Sequence, residues 1–118
     1  MSDNPAQPAA GTTLCRVGDL ADPGAKGFYF REGDKLFLGF LVRRAGLVTG
    51  FIDRCPHAGF PLAPIQDRYL TREGDLILCG SHGALFRTHD GFCIAGPCAG
   101  RKLWPWPVRV DGDQVVAA

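Results

Sequence analysis

Two short segments of the chain each pair a cysteine with a histidine. The first reads Cys55-Pro56-His57-Ala58-Gly59-Phe60-Pro61-Leu62, and the second reads Cys79-Gly80-Ser81-His82-Gly83. One residue separates the first pair and two residues separate the second. Because an extended residue advances about 3.3 Å, the members of a pair can reach different atoms of one compact cluster. A thiolate and an imidazole from each segment make four protein ligands, two of each type.

The two segments also allow two other interpretations. A zinc site with two cysteines and two histidines usually separates the cysteines by two to four residues and the histidines by three to five. Here each segment mixes the two ligand types, which suits two irons better. The other interpretation makes Cys55 and Cys79 buried apolar residues or a disulfide. It leaves unexplained why two of the three histidines follow cysteines so closely.

The two segments resemble the Rieske signature, Cys-x-His followed by Cys-x-x-His, which binds a 2Fe-2S cluster. The resemblance implies that Cys55 and Cys79 bind one iron and that His57 and His82 bind the other, which raises the potential above that of an all-cysteine cluster. It extends to Gly96-Pro97, which resembles the proline loop that covers the cluster. The twenty-one residues between His57 and Cys79 exceed the family's usual connection. The shape of the 58–78 connection therefore stays open.

Length and composition indicate one small all-β domain. The chain has 118 residues, of which 16 are glycine and 9 are proline, and this suits short strands with tight turns. We expect a Rieske-like antiparallel β-sandwich over residues 13–118, with a small cluster-binding subdomain at about 54–99. Residues 1–12 are predicted to form a flexible N-terminal tail.

The clearest strand is predicted at residues 35–43. Apolar residues alternate on both of its faces, so the strand is expected to be buried on both sides. One face carries Leu36, Leu38, Phe40 and Val42, and the other carries Phe37 and Leu41. Near the end of the chain, Trp104 and Trp106 alternate with prolines, which predicts an edge strand with both indoles packed on the base.

Charge and hydropathy exclude several classes of partner. The formal net charge is +1, so no broad basic surface argues for nucleic acid or an acidic membrane. No stretch approaches the roughly 18 uninterrupted apolar residues of a membrane span. The start of the sequence lacks the features of a secretion signal, so a cytoplasmic location is expected.

Three cysteines and one histidine remain after the four predicted ligands. Cys15 lies in an apolar run and is predicted to be a core residue. Cys93 and Cys98 flank the proline loop, and the sequence leaves open whether they form a disulfide, although a reducing compartment favours free thiols. His89 precedes Asp90-Gly91, which predicts an exposed turn residue without a ligand role.

The resemblance and the ligand set together predict electron transfer. With four protein ligands no coordination position is open to substrate, which argues against a catalytic metal. We expect a soluble one-electron carrier that passes electrons from a reductase to a terminal oxidoreductase such as a ring-hydroxylating oxygenase. The alternatives are a small Rieske subunit of a larger oxidoreductase such as nitrite reductase and, less favoured, a zinc-stabilised binding module. Enzymatic activity of the chain itself is left open, and a non-catalytic role is favoured.

The residues beside the ligands predict a low potential. Rieske proteins of respiratory complexes carry a serine after His-Gly, a tyrosine two positions further and a disulfide between the ligand loops. This chain has Ala84 and Phe86 at the first two positions, and neither donates a side-chain hydrogen bond. It therefore resembles soluble Rieske ferredoxins, and we expect a potential near about −150 mV. A docking patch is expected near His57, His82 and the proline loop. Three roles stay open for Phe60 and Leu62: to help form that patch, to shield the cluster or to pack inward.

Overall fold

The fold is built from short antiparallel strands, as the sequence predicts. The structure, a computed structural model, describes residues 4–56, 62, 68–80 and 83–118. Within these ranges the strands are β1 Thr13–Arg16, β2 Gly24–Glu32, β3 Lys35–Arg44, β4 Leu47–Ile52, β5 Leu76–Leu78, β6 Leu85–Arg87, β7 Cys93–Ala95, β8 Val108–Asp111 and β9 Gln114–Ala117. They form three sheets with the orders β1-β9-β8, β2-β3-β4 and β5-β6-β7. Among the described residues, no helix has the length and apolar composition needed to cross a membrane.

Strand β3 separates two apolar cores, which confirms that it is buried on both faces. The first, here called the cysteine core, contains Phe40, Val42, Phe51, Cys55, Leu62, Tyr69, Ile77, Cys79, Ala84, Phe86, Cys93, Cys98 and Leu103. The second, here called the tryptophan core, contains Ala6, Leu20, Phe37, Leu41, Trp106 and Val115. Leu36 departs from the predicted buried face because it lies beside the β2–β3 turn, and it is 42% exposed.

The two tryptophans have different environments, so the prediction that both indoles pack on the base is wrong for Trp104. Trp106 is 1% exposed, and its ring centroid lies 5.1 Å from that of Phe37. Trp104 is 43% exposed and lies under the guanidinium of Arg54. Instead of a full edge strand, this segment makes one isolated antiparallel bridge, between Pro105 and Phe51.

Residues 4–12 pack on the sheets, although the sequence predicts a flexible tail there. Ala6 is 6% exposed and belongs to the tryptophan core. The side-chain amide of Asn4 donates to the carbonyl of Leu36 at 2.9 Å, and the amide of Gly11 donates to that of Ala117 at 2.7 Å. The difference arises because a small apolar side chain fills a gap in the core and the backbone pairs with the end of β9.

The β5-β6-β7 sheet positions the second cysteine-histidine segment. Its strands have only three residues each, and Cys79 follows β5 directly. The 68–71 stretch lies along β5, because Leu70 bridges to Ile77 and the amide of Leu78 donates to the carbonyl of Tyr69 at 2.8 Å. The C-terminal end of the 58–78 connection thereby belongs to this subdomain.

Candidate metal centre

Two of the four predicted ligands are described by the structure. Cys55 follows β4 closely and is 1% exposed, and Cys79 is 0% exposed. Both belong to the cysteine core. His57 and His82 lie outside the described residues, as does Phe60. The structure therefore places both predicted sulfur ligands in one buried region.

A buried carboxylate fixes the first ligand segment. Asp53 is 9% exposed, and its Oδ1 accepts a hydrogen bond from the backbone amide of Leu62 at 2.7 Å. Its Oδ2 accepts one from the hydroxyl of Tyr69, also at 2.7 Å. The Tyr69 ring stacks on Phe40 with centroids 4.2 Å apart. The carboxylate, two residues before Cys55, thus ties the Leu62 end of the first segment to Tyr69.

Sequence reasoning missed Asp53 and Tyr69 as site residues. The available signal was an acidic residue at the end of a strand, two positions before a predicted ligand. An aspartate at such a position is equally typical of an ordinary turn. Leu62, for which shielding and inward packing were both considered, is 0% exposed and packs inward.

Backbone hydrogen bonds shape the second ligand segment. The amide of Cys79 donates to the carbonyl of Ala84 at 2.9 Å, and the amide of Gly83 donates to that of Cys79 at 3.0 Å. Gly83 has a φ of 72°, a conformation that favours glycine. The amide of Gly80 donates to the carbonyl of Leu62 at 2.8 Å. The last bond ties the two ligand segments to each other.

The predicted proline loop contacts both ligand segments. Gly96 has a φ of 94°, and a Cβ at this position would lie 2.7 Å from the Cα of Ala84. At the other end of the loop, Nη1 of Arg101 donates to the carbonyl of Pro56 at 3.1 Å. Gly96 therefore lies against the second segment, and Arg101 holds the first.

Cys98 is a further site residue that the sequence did not indicate. It is 1% exposed, and its Sγ lies 3.4 Å from the Sγ of Cys93. Burial, together with the hydrogen bond to the neighbouring Cys93 thiol, raises the pKa of the Cys98 thiol to about 12. The thiol is thus protonated at neutral pH, and it lies in the same buried core as Cys55. All five cysteines lie in the described part of the chain, and none forms a disulfide.

Two side chains in the core around the predicted sulfur ligands lack hydrogen-bond donors. Ala84 and Phe86 are both 0% exposed in the cysteine core, and neither side chain carries a hydrogen-bond donor. In the described ranges no group of three potential ligand residues could hold a metal ion by itself. Cys55 and Cys79 are the predicted sulfur ligands, and they would supply the soft thiolate half of a mixed ligand set. His89, with a side chain 60% exposed and 3.7 Å from Asp90, has the predicted character of a turn residue.

A match to a family profile shows which protein family the chain belongs to. The profile of the Rieske [2Fe-2S] domain matches residues 11–111. The chain belongs to the Rieske family. Membership implies one 2Fe-2S cluster of the Rieske type, and the buried cysteines of the two segments fit that group. A search of curated proteins gives no match.

Solved structures share this Rieske fold. The ferredoxin of carbazole 1,9a-dioxygenase from Nocardioides aromaticivorans IC177 is 22% identical, with 93% of this chain and 98% of that chain covered and a TM-score of 0.72. The Sphingomonas yanoikuyae B1 ferredoxin is 22% identical, with 89% and 94% covered and a TM-score of 0.65. A chain in a complex of reduced oxygenase and oxidized ferredoxin of carbazole 1,9a-dioxygenase is 23% identical, with 90% and 99% covered and a TM-score of 0.69. At these identities the likeness establishes the fold.

Proposed function

We propose that this Rieske protein is a one-electron carrier whose cluster is held by Cys55, His57, Cys79 and His82. The observation that carries the proposal is the burial of both cysteines on ligand segments that the Gly80–Leu62 hydrogen bond joins. The cluster supplies reversible one-electron chemistry when it is bound. Four protein ligands leave no open position for a substrate, so the proposed role is electron transfer rather than catalysis at the metal.

The residues of the chain have separable tasks in this role. Asp53 and Tyr69 orient the first ligand segment, because Asp53 binds the amide of Leu62 at its end and the Tyr69 hydroxyl binds the Asp53 carboxylate. The proline loop packs against Ala84 and helps to exclude water from Cys55 and Cys79. A rigid ligand frame lowers the structural change that accompanies reduction, which suits a protein that gains and loses electrons repeatedly.

The proposed partners are a reductase and a terminal oxidoreductase such as a ring-hydroxylating oxygenase. Support comes from the similar chains, two of which are named as ferredoxins and one of which belongs to an oxygenase–ferredoxin complex. We further propose a domain at residues 13–118 with its cluster-binding part at about 54–99. The proposed location is the cytoplasm, since five cysteines without a disulfide are typical of a reducing compartment.

The ligand assignment is tested by electron paramagnetic resonance. Protein purified without oxygen is reduced with dithionite, and iron and zinc are assayed on the same sample. Two irons per chain and a rhombic signal with a low average g are expected from mixed nitrogen and sulfur ligation. Zinc without a signal would end the electron-transfer proposal while leaving the fold intact.

The carrier role is tested by separating the protein from its partners. We expect a chain that purifies alone, accepts one electron from a reductase and passes it to a terminal oxygenase during turnover. Stable co-purification with a large oxidoreductase would instead favour the subunit role. For the ligand assignment, a His82→Cys variant is the matched control, since with His57 as the one remaining histidine it is expected to keep iron and to shift the g values of the signal.

A further inference from the structure

Two buried thiols touch each other where the proline loop joins β7. The Sγ atoms of Cys93 and Cys98 lie 3.4 Å apart, and the two residues are 0% and 1% exposed. The Cys93 Sγ also lies 3.2 Å from the carbonyl of Ala95. Neither thiol belongs to the proposed ligand set, so the electron-transfer role leaves this pair unexplained.

Backbone hydrogen bonds keep Cys93 and Cys98 close to each other. The amide of Cys93 donates to the carbonyl of Arg101 at 2.8 Å, and the amide of Gly100 donates to that of Cys93 at 3.1 Å. The amide of Arg101 donates to the carbonyl of Cys98 at 2.9 Å. The 93–101 segment is thus a loop closed by backbone hydrogen bonds, with Cys93 at its start and Cys98 near its end. The proximity of the two sulfurs is therefore built into the fold.

A covalent bond between the two sulfurs needs only a small movement. A disulfide is about 2.05 Å long, so the atoms must approach by about 1.4 Å. Rotation about the two Cα–Cβ bonds supplies a displacement of this size while the backbone hydrogen bonds persist. The 3.4 Å contact is thus close to the geometry that a disulfide requires.

We propose that Cys93 and Cys98 are a reversible dithiol–disulfide pair that responds to low-molecular-weight disulfides such as oxidised glutathione. One protein thiolate attacks the glutathione disulfide, which gives a mixed disulfide and releases one glutathione. The second protein thiolate displaces the second glutathione and closes the bond. The protein pair loses two electrons, the glutathione disulfide gains them, and the two thiol protons end on the released glutathione molecules. Because both sulfurs are buried, the proline loop must open for the first step.

Oxidation of the pair is expected to change the cluster, a consequence that rests on the proposed function. Cys93 and Cys98 lie in the same buried core as Cys55 and Cys79, the proposed ligands of the first iron. Disulfide formation removes two thiol hydrogens from this core, so fewer donors remain to stabilise the reduced, more negative cluster. The pair would thereby lower the cluster potential under oxidising conditions.

The pair is tested on the iron-loaded protein by equilibration in glutathione buffers of increasing oxidation. Samples are quenched with acid, unfolded and alkylated, and the modified cysteines are located by mass spectrometry. In reduced buffer we expect all five cysteines to be alkylated. In oxidised buffer we expect a Cys93–Cys98 crosslink that dithiothreitol reverses. Alkylation of all five cysteines at every glutathione ratio would overturn the proposal.

Single substitutions separate the crosslink from other oxidation. Cys93→Ser keeps a donor toward the carbonyl of Ala95 and must abolish the crosslink. Cys15→Ser is the matched control at a half-buried cysteine outside the pair, and it must leave the crosslink unchanged. A crosslink that persists in Cys93→Ser, through another cysteine, would contradict the assignment. Because Cys93→Ser leaves the ligands and Cys98 in place, it carries the test even where Cys98→Ser fails to fold.

The effect on the cluster is a second and separate readout. The potential is titrated with the pair reduced and with the pair oxidised, and a decrease is expected in the natural sequence but not in Cys93→Ser. An unchanged potential with a formed crosslink would overturn the coupling to the cluster. A crosslink in protein that gives no Rieske signal would support the thiol pair and contradict the proposed function, so the two failures are distinguishable.

Discussion

The carboxylate of Asp53 shows how one residue can organise the ligand loops. It accepts two hydrogen bonds while it is almost fully buried, and the two donors, Leu62 and Tyr69, lie on either side of a six-residue stretch of which 63–67 lies outside the described residues. A buried carboxylate without these donors would be strongly unfavourable. The position therefore couples the stability of the fold to the geometry of the first ligand segment.

Tyr69→Phe removes one donor from this carboxylate and keeps the aromatic stack on Phe40. Because hydrogen bonds to charged groups contribute about 1.5–3 kcal/mol, we expect the free energy of unfolding to fall by roughly that amount. Urea denaturation of the iron-loaded protein measures the change. Tyr29→Phe is the matched control, since Tyr29 is 69% exposed, and its stability should equal that of the natural sequence. Equal urea midpoints for the two variants would show that the hydrogen bond from Tyr69 to Asp53 contributes nothing to the free energy of unfolding.

The potential of the cluster depends on single donors near the sulfurs. With Ala84 and Phe86 as neighbours we expect a value near about −150 mV in a redox titration. Phe86→Tyr adds a hydroxyl beside Cys55 and Cys79 and should raise the potential. Phe92→Tyr, which adds the same hydroxyl to a ring beside Arg87, is the control and should leave the potential unchanged. A natural value well above zero would contradict the prediction.

At the scale of elements, the proline loop depends on two glycines with different surroundings. Both have positive φ, 94° for Gly96 and 88° for Gly100. A Cβ on Gly96 meets the backbone of Ala84, whereas a Cβ on Gly100 has nothing within 4 Å. The two positions share the backbone strain and differ only in the steric contact with the second ligand segment.

Gly96→Ala should therefore destabilise the protein more than Gly100→Ala does. Both variants lose about 1–3 kcal/mol from backbone strain, and overpacking against Ala84 adds roughly 1–3 kcal/mol for Gly96 alone. Urea denaturation gives the stability, and the visible absorbance of the cluster reports iron retention. We expect faster loss of iron in Gly96→Ala, because the loop or the second segment must move. Similar stabilities of the two variants would argue against a close contact between Gly96 and Ala84.

At the scale of the whole molecule, the two cores predict two levels of stability. The proposed sulfur ligands belong to the cysteine core, whereas the tryptophan core contains no proposed ligand. The β5-β6-β7 sheet has only three-residue strands, and short strands supply few hydrogen bonds of their own. The cluster is therefore expected to contribute most of the stability of this sheet.

Removal of the iron tests whether the two cores differ in stability. In the metal-free protein we expect faster amide hydrogen exchange in residues 76–95, because local opening no longer breaks metal–ligand bonds. Exchange in β2, β3 and β4 should change much less. The comparison of iron-loaded and metal-free protein by mass spectrometry gives both values in one experiment. A uniform loss of protection in all sheets would instead indicate a single cooperative unit.

Local patterns in the sequence determined the family, the proposed ligand set and the all-β fold. The Cys-His spacing is a local property, and the alternation on β3 reports burial on both faces because side chains of a strand point alternately to its two sides. These features depend on residues that are close together in the chain.

Only the tertiary structure decided which distant residues meet. The Asp53–Tyr69 bond spans 16 residues, the Arg101–Pro56 bond spans 45, and Cys98 lies in the same buried core as Cys55. The packing of residues 4–12 and the exposure of Trp104 were likewise set by the shapes of the completed cores. Such contacts depend on how the sheets are placed in space, and no local periodicity encodes that placement.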